Sequence, residues 1–293
     1  MQSFWGDFMK KKILIVLIVA LFCFVIWQGL KKPETNADWQ DPLAVQSTAE
    51  FKGDMVTVKN VRNFRYTPEE KSIISYYDQD YDLAKISKAW YIVVPFANRD
   101  YAAHSFMSFE FSDGSAERTG NPAQLGGKYL TISIEARKKK GQDYSLVWGM
   151  LRTYPLMYIA ADERDSILMR ANIRKDDVYL YPVKATPDQA RLLLIDMLEK
   201  MNSLAEKPEW YNTFTANCTS MIAYHVNKIW PGLLPKVVWQ VWVTGYAEKL
   251  AFDEGLIDTE LEFDQARQKY YITDLSQEAG DVSDYSEKIR EFK

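Results

Sequence analysis

The chain has 293 residues, 47% of them hydrophobic and 26% charged, which is enough apolar material for one large domain or two small ones and too much for a disordered chain. A net charge of −4 and a pI near 5.5 provide no basic face of the kind nucleic-acid binders carry. Two Cys (Cys23, Cys218) and two His (His104, His225) are too few for a four-ligand structural zinc site once Cys23 is assigned to an apolar run, and too few for a disulfide framework.

The first element is that run. Ile13 to Trp27 reads ILIVLIVALFCFVIW without a polar break, and Gln28-Gly29-Leu30 carry it to Lys31-Lys32. Eighteen helical residues at ~1.5 Å each reach about 27 Å, close to a bilayer core of roughly 30 Å. A cleaved signal peptide is the rival reading, but such peptides have shorter apolar regions and end in a small-residue site that is not seen before Lys31. The expectation is an uncleaved transmembrane helix over residues 13–30, with residues 1–12 inside and the body exported, because Lys10, Lys11 and Lys12 precede the span. Five Lys against Asp7 leave +4 on residues 1–32, so the remainder carries −8. Residues 31–50, with Pro33 and Pro42, read as a tether, and 51–293 as one domain.

Strand-length runs bounded by turn residues follow at Met55–Val61, Ala89–Phe96, Ser105–Phe111, Tyr129–Ala136, Leu156–Ala161 and Val178–Val183. Helices come later. Thr186-Pro187-Asp188-Gln189 is a capping box with Pro at the first helical position, and Ala190, Leu193, Leu194, Met197, Leu198 and Met201 form the apolar stripe. A second helix is expected to begin near Cys218 and a third to run from about Val238 to Phe252, where Trp239, Trp242 and Tyr246 read as core. Strands before helices predict an α+β fold with an antiparallel sheet.

The stretch from Tyr211 to Ile222 runs from cap-forming polar residues into a helical period, so Cys218 is expected in a first helical turn. There the free N–H groups and the positive end of the helix dipole stabilise a thiolate and supply oxyanion donors. The competing reading is a small buried hydrophobe. His225, seven residues along the same helix, is ~10 Å up the axis and reads as a surface or packing histidine. By elimination His104 is the candidate base. If Ser105–Phe111 and Tyr129–Ala136 form a hairpin through the Asp113–Lys128 loop with Phe111 opposite Tyr129, residues near 135–136 lie beside His104, which makes Glu135 the candidate orienting carboxylate. Glu110 is about 20 Å away along its strand.

Other residues are weaker candidates. Arg62 and Arg137, in a set with Arg65, Arg164, Arg170 and Arg174, are candidates for gripping a phosphate or lipid head group, with a salt-bridged surface as the alternative. Asn217 beside the thiol is a candidate substrate contact. Asp78, Asp80 and Asp82 begin like a calcium loop but lack its Gly and Glu, and Gly126-Gly127-Lys128 is not a phosphate loop. Nothing implies a metal or another cofactor.

Together, Asn60-Val61-Arg62-Asn63-Phe64-x-Tyr66, His104-x4-Phe109-x-Phe111, Ser133-x-Glu135-x-Arg137, Glu163-Arg164-Asp165, Arg170-x3-Arg174, Val178-Tyr179-Leu180-Tyr181-Pro182 and Tyr211-Asn212-Thr213-x4-Asn217-Cys218-Thr219 resemble the Lnb N-terminal periplasmic domain family. The resemblance runs from about residue 50 to 225, and Asp284-Tyr285-Ser286-x2-Ile289-Arg290 is also similar to the end of family members. It implies a papain-like thiol fold in permuted, NlpC-type order, His before Cys, with Cys218, His104 and Glu135 in the nucleophile, base and orienting positions. It also implies a bacterial inner-membrane protein with its domain in the periplasm, and an acyltransferase or hydrolase working through a cysteine acyl-thioester on phospholipid or lipoprotein substrates. Lipoprotein-acylating relatives carry several further membrane spans, and no second apolar run of spanning length follows here. A cell-wall amidase or endopeptidase of the same fold and a non-catalytic envelope scaffold are the alternatives.

Overall fold

The computed structural model describes residues 2–67, 72–96, 99–112, 128–234 and 239–292. In chain order these form α1 (Gln2–Leu30), β1 (Thr48–Lys52), β2 (Met55–Arg62), β3 (Arg65–Tyr66), β4 (Ser72–Ile73), β5 (Tyr76–Asp82), β6 (Ile86–Phe96), β7 (Arg99–Phe111) and β8 (Tyr129–Ala136). Then come α2 (Leu146–Gly149), β9 (Leu156–Ala161), α3 (Glu163–Ser166), β10 (Tyr179–Pro182), α4 (Pro187–Glu206), α5 (Cys218–Ile229) and α6 (Trp239–Trp242). The chain ends with α7 (Ala247–Asp253), α8 (Phe263–Lys269), α9 (Thr273–Ala279) and α10 (Tyr285–Lys288).

Within α1, Met9–Leu30 is long and apolar enough to cross a membrane, with a mean hydropathy of 2.8 and no part of it buried. Residues 39–50, expected as tether, instead pack on the domain. Trp39 and Leu43 are buried, Trp39 bridges Lys139, and β1 pairs along the whole of β2's first half. Trp39 between the prolines and Leu43 directly after Pro42 supply the burial that a tether lacks.

The sheet has eight strands in the order β1-β2-β9-β8-β7-β6-β10, with β5 added on β2. It is mixed rather than antiparallel, because β2 meets β9 in parallel at Arg62↔Ala161. A bulge between Val58 and Val61 makes this possible. Asn60 takes φ +57°, its amide bonds Asp78 Oδ1 and its carboxamide bonds the Gln46 carbonyl, so the strand shifts register and turns toward β9.

Helices cover both faces. On one, α4 and α5 bury Leu194, Met197, Met201 and Ile222 against Met107, Phe109, Ile132 and Tyr158. The capping box at Thr186 and Gln189 starts α4 where expected. On the other face Ile167, Leu168, Ile272, Tyr285 and Ile289 pack on Ile92 and Phe106. This second face also holds buried ion pairs: Glu163 accepts from Ser108 and from both terminal nitrogens of Arg290, and Asp165 accepts from Arg62, the Phe64 amide and the Tyr66 hydroxyl. The long third helix expected over residues 238–252 is broken at Thr244–Tyr246, and its start at Val238 lies outside the described residues. Thr244 accepts a hydrogen bond from the Ala103 amide, which draws the chain onto β7. Trp239, Trp242 and Tyr246 are consequently exposed, not core.

Candidate functional site

β7 and β8 pair from Glu110↔Tyr129 to Phe106↔Ser133, one residue off the expected register; most of the intervening loop lies outside the described residues. Continuing this register would set His104 opposite Glu135, yet the paired ladder stops at Phe106. Odd-numbered residues of β7 turn their backbone groups toward β8, as Phe111 does in bonding the Lys128 carbonyl. At the open end two of these amides find side-chain partners: Ala103 N–H donates to Thr244 Oγ1 at 2.9 Å, and Ser105 N–H donates to the Cys218 sulfur. The thiol also lies 3.9 Å from the Ala103 carbonyl.

Cys218 is the first residue of α5. Asn217 caps the helix, accepting from the Ser220 amide at 2.7 Å while its own amide donates to Ser220 Oγ. Its side-chain nitrogen donates to the carbonyls of Thr213 and Val241, so Asn217 acts in the protein's own scaffold. Among the described residues no hydrogen bond is made by the amides of Cys218 and Thr219, the first two of the helix, which leaves donors beside the sulfur.

His104 comes from the other face of the sheet, that of Phe106, on which its ring stacks at 5.5 Å. Its Nε2 lies 2.9 Å from Ser133 Oγ and 3.2 Å from Glu135 Oε1, and Ser133 donates to the same carboxylate oxygen at 2.8 Å. With Nε2 engaged there, Nδ1 is the nitrogen left for the Cys218 thiol, with which the ring is hydrogen-bonded. Burial opposes a charge on the ring, but the charge of Glu135 together with the ring's hydrogen bonds to Cys218 and Glu135 outweighs it, and the His104 pKa is raised to about 9. Burial likewise pushes the Cys218 thiol up, and the hydrogen bond and charge of His104 reverse this, so its pKa is lowered. Burial is overcome again at Glu135, which His104 and then Arg170, 3.6 Å away, hold well below the usual carboxylate range. Such a set favours a proton on the imidazole and a negative charge on the sulfur, the direction a thiol nucleophile requires.

The structure therefore brings Cys218, His104 and Glu135 together. Arg62 and Arg137 are elsewhere: Arg62 is fully engaged with Asp165 and the Pro42 carbonyl, while Arg137 donates to the carbonyls of Leu43 and Ala44 and stacks on Trp39. Both hold the segment after α1 to the sheet. Ser133 and Arg170 complete the charge network; the sequence offers Ser133 only within the family motif and Arg170 only as a phosphate-gripping candidate, not as partners of Glu135. The signal for Ser133 was its place two residues before Glu135, on the same strand face. His225 is completely buried, with Nδ1 2.6 Å from Asp196 and Nε2 accepting from Tyr158 at 2.7 Å. Among the described residues no three His, Cys, Asp or Glu side chains gather as metal ligands do.

A thiol and an imidazole meeting at the N-terminus of a helix packed on a mixed sheet define a candidate cysteine centre in an α+β domain. The family model of the Lnb N-terminal periplasmic domain matches residues 74–245, more than half of the chain, and the protein belongs to that family. The match includes His104, Glu135 and Cys218; it starts later than the expected resemblance, leaving out Asn60–Tyr66, and also leaves out the segment 284–290. Comparison with curated proteins and with solved structures found no match.

Proposed function

We propose that the protein is a membrane-anchored periplasmic thiol enzyme, with α1 retained as the anchor, that transfers or hydrolyses an acyl group through a Cys218 thioester. The observation that carries this reading is the Cys218–His104–Glu135 arrangement, with a lowered thiol pKa and a raised imidazole pKa at a helix N-terminus. Its His-before-Cys order suits a permuted papain-like fold. In the first step the Cys218 thiolate attacks an ester carbonyl, forming a C–S bond. The tetrahedral oxyanion rests on the free amides of Cys218 and Thr219. The C–O bond then breaks and the leaving alkoxide takes its proton from His104. An amine or water, deprotonated by the now neutral His104, attacks the thioester and regenerates the thiolate. Glu135 and Ser133 hold the ring in orientation throughout.

An apolar cleft of about 260 Å³ favours a lipid acyl group over a polar cell-wall peptide. Thr219, the sequence neighbour of Cys218, is among its lining residues with Met107, Ile222, Val226, Val241 and Leu250, while Cys218 itself is not. Phospholipid as donor and lipoprotein as acceptor suit such a cleft in a protein tethered to the bilayer. The test is intact-mass analysis after incubation with phospholipid. An acyl adduct on the wild-type chain that is absent from Cys218→Ala supports the reading. Release of peptidoglycan fragments without an adduct would replace it with an amidase, and neither activity would leave a scaffold.

A further inference from the structure

The last turn of α1 is tied to the loop that follows α2. Arg152 donates from its guanidinium to the carbonyls of Gln28 at 2.7 Å and Gly29 at 2.9 Å, Lys31 reaches the Leu151 carbonyl at 3.5 Å, and the Trp210 indole N–H donates to the Lys31 carbonyl at 3.3 Å. These bonds set Leu151 and Arg152 level with the end of the apolar run. The residues just before them, Leu146, Val147, Trp148 and Met150, are 43%, 57%, 57% and 38% exposed.

We propose that this turn dips into the periplasmic leaflet of the bilayer that α1 spans. The inference rests on the reading of α1 as a retained anchor. Met9–Leu30 as the span leaves Gln28 and Gly29 in the interfacial layer, where Trp27 carries the Lys31 ammonium 4.0 Å over its ring, a pairing suited to the boundary between acyl chains and head groups. Arg152 is held at that depth by the carbonyls it bonds, so the apolar side chains preceding it lie at the acyl boundary. Lys31, Lys32 and Arg152 bring positive charge to the same end of an otherwise acidic chain, where lipid phosphates are found. An exposed Leu-Val-Trp turn is the composition of an interfacial anchor, and its transfer from water is favourable at ~25 cal/mol per Å² of apolar surface covered.

The turn is also joined to the candidate site. Thr213 donates through its hydroxyl to the Leu146 carbonyl at 2.8 Å and through its amide to the Gly149 carbonyl at 3.3 Å, and its own carbonyl accepts from the Asn217 side chain. Seating α2 in the leaflet therefore orients the loop that ends at Cys218 toward lipid.

The experiment uses the full chain in phosphatidylcholine proteoliposomes, with and without chain-brominated lipid. Fluorescence of the wild type is compared with Trp148→Phe and, separately, Trp27→Phe. Each difference spectrum isolates one indole among nine. The expected result is a blue-shifted Trp148 spectrum quenched by brominated lipid at least half as strongly as that of Trp27. If Trp27 is quenched and Trp148 is not, leaflet docking is overturned while the anchor stands. A Trp148 spectrum that is blue-shifted but unquenched places the turn against protein, this chain or a second copy of it, and overturns it equally. If Trp27 is absent from the mature chain or unquenched, the anchor reading fails and this proposal with it. Unchanged alkylation of Cys218 in Trp148→Phe verifies that the variant folds.

Discussion

Cys218 and His104 approach each other from opposite faces of one sheet and meet where β8 ceases to pair with β7. Cys218 belongs to the layer of α4 and α5, His104 to the layer of Phe106 and the buried ion pairs. In an unbroken ladder the backbone of β7 would separate them. The Ser105 amide, released from β8, bonds the sulfur instead.

The reactivity of the thiol should report this meeting. With its pKa lowered, Cys218 is expected to react with iodoacetamide at pH 6 much faster than an ordinary thiol, which is about 0.3% thiolate there. His104→Ala should bring the rate down to that of a model thiol. A rate in the wild type no higher than a model thiol's would sink the ion-pair assignment.

The proposed acyl transfer needs a protonated His104 to expel the leaving group, so under that proposal its rate should fall as pH rises through about 9. The charge of Glu135 is the main contribution raising that pKa. Glu135→Gln should therefore move the alkaline limb to lower pH, and a pH–rate profile that keeps its limb in place would assign the raised pKa to another group.

Buried charge is expected to dominate the stability of the second face. Asp165 is wholly buried with its oxygens on Arg62, Tyr66 and the Phe64 amide. Asp165→Ala strands the Arg62 guanidinium and should cost roughly 3–5 kcal/mol in urea unfolding. A loss under about 1 kcal/mol would mean that water reaches Arg62.

Acid should destabilise the protein through His225. Burial lowers its pKa, with the hydrogen bond and charge of Asp196 opposing, so the unfolded chain takes up the proton first. Stability is then full above about pH 6.5 and declines as pH falls below it. Asp196, held low by Lys228 and His225 against the effect of burial, adds a further loss below about pH 4. His225→Gln should flatten the urea midpoint between pH 5 and 7, and an unchanged slope would exclude His225 as its source.

Gly149 has almost no room for a side chain, since a Cβ there would collide with Thr213 Oγ1. Gly149→Ala should cost about 1–3 kcal/mol by overpacking and also slow Cys218 alkylation, because Thr213 supports the Asn217 cap. Thermal melts together with alkylation rates check both effects; a melting loss at constant alkylation would uncouple the loop from the thiol.

Much of this could be read from residue order. Tyr129–Ala136 and Leu156–Ala161 form strands with the expected bounds because the first alternates Leu130, Ile132 and Ile134 with polar residues and the second is an unbroken apolar run. The hairpin register was one residue out and still brought Glu135 beside His104, since either register leaves those strand ends adjacent. Strand β5 was missed because Tyr76–Asp82 alternates buried Tyr77, Gln79 and Tyr81 with acidic residues that read as loop. Arg62 and Arg137 were illegible for another reason. An arginine bound to backbone carbonyls and a buried carboxylate has the same spelling as one that waits for phosphate.

The open end of β7 has a consequence for biogenesis. Its amides at Ala103 and Ser105 are satisfied by Thr244 and Cys218, residues from much later in the chain. A polypeptide emerging through the membrane from its N-terminus exposes His104 long before either arrives. The imidazole thus has no partner thiol until Cys218 has followed it out, and no settled strand end until Thr244 has.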